Sequence, residues 1–234
     1  MNSWLCLWFE SPLQSWGASS KFDRRETMPF PTKSGVYGLI LSAMGKSGEQ
    51  KELLEKLSKM NMEVFSYSNR DNNVMLEDYH LVGGGYDESD EWEVLHIPKK
   101  ADGKKPVGTG NKITYRYYLQ NAKFGVLLEI PDEIKNDIEK YLKNPVYQIY
   151  LGRKNCVPTE LVFQGIYDTK DKAFSRLKQI ADSKKIVEKF RVVEGKSDGD
   201  ESFYINDVPI QFGSIKKYKE RLITIIKTDS ENGK

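Results

Sequence analysis

The sequence predicts an α+β protein built on an antiparallel sheet with helices over one face. Three observations carry that prediction. A short apolar run rich in aromatics opens the chain at 4–9, two later runs at 113–119 and 124–130 alternate apolar and polar residues, and helical-period stretches follow at 35–44 and 131–142. Strand, helix, paired strands, helix, strand is the order of a split βαβ unit, so a ferredoxin-like arrangement fits best.

Each element has a local reason. Residues 4–9 (WLCLWF) read as a buried strand that ends before Pro12. Val36, Tyr37, Leu39, Ile40, Ala43 and Met44 recur at helical spacing, with Thr32 or Ser34 to cap the start and Gly45 to stop the end. Leu53, Leu54, Leu57 and Met60 put one apolar face on a second helix over 49–60. Residues 64–68 and 74–82 read as a strand pair joined by the turn-prone stretch 69–73. The two alternating runs, separated by residues 120–123, predict a hairpin. Pro131 opens a helix carrying Ile134, Ile138, Tyr141 and Leu142, which stops before Pro145. Residues 170–182 predict a cationic amphipathic helix and 222–226 a final buried strand.

Between 83 and 112 the periodicity breaks. Gly83, Gly84 and Gly85 lead into acids (Asp87, Glu88, Asp90, Glu91, Glu93) and then bases (Lys99, Lys100, Lys104, Lys105, Lys112). An excursion of this length inside a compact unit predicts a projecting functional hairpin.

Composition excludes several classes. A chain of 234 residues with 12% aromatic content has enough apolar material for a core and too much for a solvating, disordered chain. No stretch approaches 18 uninterrupted apolar residues and no signal peptide opens the chain, which predicts a cytoplasmic protein without a membrane partner. Cys6 and Cys156 with His80 and His96 form no disulfide framework and no metal-ligand spacing, so no metal or other cofactor is expected.

The 36 basic residues nearly balance the 34 acidic ones, but they are segregated. Six bases against one acid fall in 99–116, eight against three in 170–191, and four against one in 216–221. Tyr115, Tyr117, Tyr118, Phe174 and Tyr218 are interleaved with them. Cations for phosphate beside flat rings for unstacked bases is what single-stranded nucleic acid requires; ordinary solvated faces are the other reading. Gly108-Thr-Gly110-Asn-Lys112 lacks the Gly-Lys-Ser/Thr of a phosphate loop and the third glycine of a dinucleotide fingerprint. His80 and His96 are the acid-base candidates, and the sequence offers neither an identifiable nucleophile nor a carboxylate partner.

Five blocks in order now read together: Pro12-Leu-Gln-Ser-Trp-Gly17, Phe30-Pro-Thr-Lys-Ser-Gly-Val-Tyr-Gly-Leu39, Asp78-Tyr-His80, Tyr150-Leu-Gly-Arg-Lys-Asn-Cys156 and Pro209-Ile-Gln-Phe212. They resemble the signature blocks of the CRISPR-associated RAMP proteins, in particular the CasD-type subunit of the type I-E Cascade complex. The resemblance implies one ferredoxin-like (RRM-like) unit over 1–234 with 83–112 as an inserted thumb hairpin. It implies a non-catalytic subunit that binds the 5′ handle of crRNA, caps the backbone-subunit filament, touches the large subunit, meets target DNA indirectly and supports antiviral defence.

The blocks also suit RNA physically. Lys33 and Ser34 lie at a helix N-terminus, which favours a phosphate or a carboxylate, with simple capping as the alternative. Gln14 and Trp16 could read and stack a base, or Trp16 could anchor the core. Arg153 and Lys154 offer a fork and a point charge to phosphate. With Tyr37, Tyr79, His80, Arg116 and Gln211 these complete the expected RNA-contact set. One departure from the family pattern is Arg153-Lys-Asn155, where a second Arg followed by Ser is expected. Relatives that cut precursor RNA use a Tyr and an adjacent Lys-His pair, and this chain has no Lys-His pair. The rival functions are a metal-independent endoribonuclease using His80 with Tyr79 or a nearby lysine, and a structural bridge without RNA contact.

Overall fold

β1 (Asn2–Glu10) is buried from Leu5 to Phe9, as a central strand with material on both faces requires. The computed structural model describes residues 2–17, 23–68, 75–82, 89–96, 103, 112–199 and 201–228. After β1 come the short strands β2 (Leu13–Gln14) and β3 (Arg24–Arg25), then helices α1 (Lys33–Ala43) and α2 (Lys51–Ser58). β4 (Met62–Ser68), β5 (Met75–Val82), α3 (Glu91–His96), β6 (Lys112–Gln120), β7 (Lys123–Pro131) and α4 (Asp132–Lys143) follow. β8 (Phe163–Tyr167), α5 (Lys170–Lys184), β9 (Val187–Glu194), β10 (Glu201–Gln211) and β11 (Lys217–Lys227) complete the chain.

Seven strands form one antiparallel sheet in the order β10-β11-β9-β4-β7-β1-β8. Alternation along β1 feeds two cores. Leu5, Leu7 and Phe9 pack with α1, α2 and α4, whereas Cys6 and Trp8 pack with Leu177, Ile180 and Ala181 of α5. The sheet is therefore covered on both faces, where the sequence predicted one. Gly125 in β7 permits this, because a Cβ there would stand 2.6 Å from Leu177.

A second sheet is centred on β6, which pairs with β2 and β5 antiparallel and with β3 in parallel. Here two sequence-predicted pairings are corrected. β6 and β7 are both strands, but they lie in different sheets, and so do β4 and β5. The chain passes from β6 to β7 at Asn121, in a left-handed conformation (φ 50°), whose N–H donates to Pro12 O. β7 then follows β1 for nine residue pairs, a longer partnership than any turn at 120–123 dictates. β5 and β6 pair with each other from Met75↔Leu119 to Val82↔Lys112, so the excursion at 83–111 is the segment that joins them. Apart from 89–96 and 103, that excursion lies outside the described residues, as does the predicted turn at 69–73.

Thr32 caps α1, its hydroxyl accepting from Gly35 N–H at 3.3 Å. The first free N–H of the helix, that of Lys33, donates instead to Asp207 Oδ2 of β10 at 2.7 Å. Asp207 also receives Arg221 of β11 in a two-point fork at 2.7 and 2.8 Å. Glu194 of β9 accepts from Arg221 at 2.9 Å, from Lys33 Nζ at 2.8 Å and from Met62 N–H at 3.0 Å. Two cations and two carboxylates thus neutralise one another where Asp207 and Lys33 are almost entirely covered. Burial lowers the Lys33 pKa and Glu194 opposes that shift; burial likewise pulls on Arg221, and Asp207 outweighs it.

Replacing Asp207 by Ala strands Arg221 and the helix N-terminus, and breaking a buried pair from one side costs about 3–5 kcal/mol. Urea unfolding of Asp207→Ala is expected to show a loss of that order; a midpoint equal to wild type would show the network to be incidental.

Candidate nucleic-acid interface

The small sheet gathers arginines and tyrosines on both of its faces. Directly paired residues share a face. One face therefore carries Tyr79 opposite Tyr115, with rings 5.5 Å apart and edge-on, and Leu81 opposite Ile113. Arg24 of β3 lies over the Tyr115 ring at 5.2 Å and donates to Tyr117 Oη at 3.0 Å. Tyr79 is 55% exposed, and Met75, Leu81 and Ile113 are exposed on the same face.

The other face carries Asp78 opposite Arg116 opposite Arg25, and His80 opposite Thr114. Arg153 closes this face. Its guanidinium lies 4.5 Å above the Tyr118 ring and donates to Tyr117 O at 3.1 Å and Arg25 O at 2.6 Å. Lys154 beside it is exposed, and Asn155 donates to Tyr118 Oη at 3.1 Å. Among the described residues no carboxylate pairs with Arg24, Arg25, Arg116 or Arg153.

Five of the expected RNA contacts have side chains that are engaged inside the protein. Trp16 is 1% exposed, stacks on Phe9 at 5.2 Å and donates its indole N–H to Gln14 Oε1 at 3.0 Å. Gln14 donates in turn to Ala122 O at 2.7 Å, which leaves no edge to read a base. Lys33 and the α1 N-terminus do hold an anion, but it is the protein's own Asp207 and Glu194. Tyr37 donates to Leu57 O at 2.5 Å, and burial raises its pKa well above the usual phenol value. Gln211 donates to Glu49 and to Ile215 O. Ser34 is half-buried with its hydroxyl 3.4 Å from Thr32. His80 and Arg116 share one face of the small sheet with the turn that carries Arg153 and Lys154, and Tyr79 lies on the other face.

Arg24, Arg25 and Thr114 were missed by sequence reasoning. The first two sit in the irregular polar stretch after residue 12, where no periodicity marks a strand; the adjacent Arg-Arg pair was the available signal. Half of the eight bases of the second basic segment are ion-paired: Lys170 with Glu63, Lys172 with Asp168, Lys184 with Glu10 and Glu160, and Arg191 with Glu188. In the third, Arg221 is internal while Lys216, Lys217 and Lys219 are exposed. Cys6 and Cys156 are free and buried, and burial pushes the Cys6 thiol up to about 12 and raises that of Cys156. Among the described residues no cluster of His, Cys, Asp and Glu is arranged for a metal ion, and no helix is long and apolar enough to cross a membrane.

Two sheets with a basic and aromatic ribbon place the chain beside CRISPR-associated proteins of known sequence and structure. The family model described as "CRISPR-associated protein (Cas_Cas5)" matches residues 4–223. The CRISPR system Cascade subunit CasD of Escherichia coli (strain K12) is 30% identical over 174 residues, 73% of this chain and 74% of that protein. A solved chain described as a CRISPR RNA-guided surveillance complex superposes with a TM-score of 0.72 at 25% identity, over 97% of this chain and 90% of that one. A Cas protein crystal structure, 24% identical, shares the fold with a TM-score of 0.62 over 96% and 94%. The chain belongs to the Cas5 family of CRISPR-associated proteins.

The turn that delivers Arg153 depends on Gly152, at φ 103°, where a Cβ would fall 1.8 Å from Ser15 O. Gly152→Ala is expected to lose about 2–4 kcal/mol in urea unfolding, because the chain can relieve the overlap only by moving the turn off the β2 segment. A stability unchanged within about 0.5 kcal/mol would contradict that packing.

Proposed function

We propose that the chain is a non-catalytic, crRNA-binding subunit of a type I-E Cascade surveillance complex, acting in antiviral defence in the cytoplasm. It binds the 5′ handle of crRNA along the small sheet, caps the backbone-subunit filament, contacts the large subunit and meets target DNA only indirectly. Residues 1–234 form one RAMP-type unit. The order β4-β7-β1-β8, with helices after β1 and after β7, supports a ferredoxin-like core within the larger sheet. The antiparallel β5–β6 pair supports reading 83–112 as the thumb at its tip.

One observation carries the RNA reading. Three guanidinium groups, those of Arg25, Arg116 and Arg153, lie on one face of the small sheet, Arg24 lies beside Tyr79 and Tyr115 on the other, and none of the four is ion-paired to a carboxylate among the described residues. Unpaired guanidinium groups can exchange hydration for phosphate and release condensed counterions, while the exposed rings accept unstacked bases. Arg25, Arg116 and Lys154 take the phosphate contacts, with Arg153 bracing them from beneath. The endoribonuclease reading has less support, since His80 forms no hydrogen bond with a carboxylate or with Tyr79 among the described residues.

Gel shifts of the purified chain on handle RNA test this reading. Arg116→Gln and Arg25→Gln are each expected to weaken binding and to lower the slope of log K against log salt by about 1. A wild type that binds no RNA, or variants with an unaltered slope, would remove the site. Incubation with repeat RNA in EDTA is expected to yield no product; cleavage that disappears in His80→Ala would reinstate the enzyme.

A further inference from the structure

His80 and Thr114 stand directly opposite each other in the β5–β6 register, so both side chains leave the ribbon on the face that carries Arg116 and Arg25. His80 Nδ1 and Thr114 Oγ1 are shut off from solvent, and neither has a hydrogen-bond partner. Such atoms are exceptional in folded proteins, because a covered polar atom without a partner loses its hydration and gains nothing in return. Among the described residues two more, Ser66 Oγ and Tyr67 Oη, lie on β4 in the other sheet, and the remaining two fall on this single cross-strand pair. Two residues along the same face, roughly 7 Å away, is the Asp78–Arg116–Arg25 row.

We propose that the pair reads the 2′-hydroxyl of one nucleotide of the bound RNA, while Arg116 and Arg25 hold a phosphate of the same strand; the inference rests on the RNA-binding reading above. The threonine hydroxyl donates and accepts, and a neutral imidazole offers one donor and one acceptor. A ribose 2′-hydroxyl is also donor and acceptor, so one group closes both unmet valences. A phosphate, which accepts only, requires both partners to donate, and deoxyribose brings nothing. His80 and Thr114 are both half-buried, which places the pair just below the surface of the ribbon. The pair therefore selects RNA over DNA at one position of the strand.

The competing explanation is a single ordered water that bridges the two atoms in the free protein. The test measures the affinity of the full chain for the handle RNA and for a series in which each ribose in turn is replaced by deoxyribose. In wild type one substitution is expected to weaken binding roughly tenfold, the value of an unmade hydrogen bond in a covered site. Thr114→Val abolishes the penalty at that position and leaves the others, with a Tm equal to or above wild type because the hydroxyl it removes is unpaired. Arg116→Gln weakens every member of the series alike and preserves the penalty. A Thr114→Val protein that keeps the full pattern, or one with a lowered Tm and an unchanged pattern as the water bridge requires, overturns the inference and leaves RNA binding in place. A wild type that binds no member of the series overturns the RNA reading and this inference with it.

Discussion

The Asp207–Arg221–Glu194–Lys33 network decides what the two halves of the chain can do. β9, β10 and β11 come after α5 in the chain, yet they extend a sheet begun by β1, and the network fastens them to α1. Ion pairs of this kind gain little net stability over apolar packing, because desolvating four charges offsets most of their attraction. What they gain is register. A one-residue slip of β10 would turn Asp207 away from the α1 N-terminus and leave Arg221 buried without its fork. The cost of a wrong arrangement is therefore much larger than the benefit of the right one.

That constraint also fixes where a nucleic acid can bind. A helix N-terminus beside a lysine is an attractive anion site, and here the anion is intramolecular. Much of α5's positive charge is likewise spent on Glu63, Asp168, Glu10 and Glu160. The near-equal totals of 36 bases and 34 acids thus conceal two kinds of cation, those consumed in holding the large sheet together and those left open on the small one. The arginines around β6 are of the second kind.

Elements whose cause is local were legible in the sequence. α1 with its Thr32 cap, α4 behind Pro131 and the strands at β1, β6 and β7 all follow from spacing within about ten residues. Partnership was not legible, because alternation marks a strand without naming its neighbour, and β7 is claimed by β1 across more than a hundred residues of chain. β8, β9 and β10 escaped for the same reason: VEKFRVVE carries charges on a strand whose burial is decided by β4 and β11. At the site, residue type was ambiguous. Trp16 and Tyr79 are both aromatic residues inside family blocks, and tertiary packing alone makes one a core anchor against Phe9 and leaves the other on the surface.

The two sheets divide the physical labour unequally. The seven-stranded sheet has a core on each face, whereas β5 joins the rest of the described structure through its pairing with β6 and through Leu76, which packs on the main core. A ribbon so lightly attached needs bracing, and Arg153 supplies it by reaching from the turn at Gly152 to the carbonyls of Tyr117 and Arg25. The same turn is pinned to the segment after β2 through Ser15, whose N–H donates to Leu151 O at 3.1 Å. Arg153 is thus better placed as a brace than as a free phosphate fork. Its carbonyl bonds hold β3 against β6, and that contact sets Arg25 beside Arg116. Preorganisation of this kind lowers the ordering cost of binding, since the cations are gathered before any phosphate arrives. The chemistry of a single residue is then expressed through its neighbours: a guanidinium committed to two backbone carbonyls leaves those of Arg25 and Arg116 free to act.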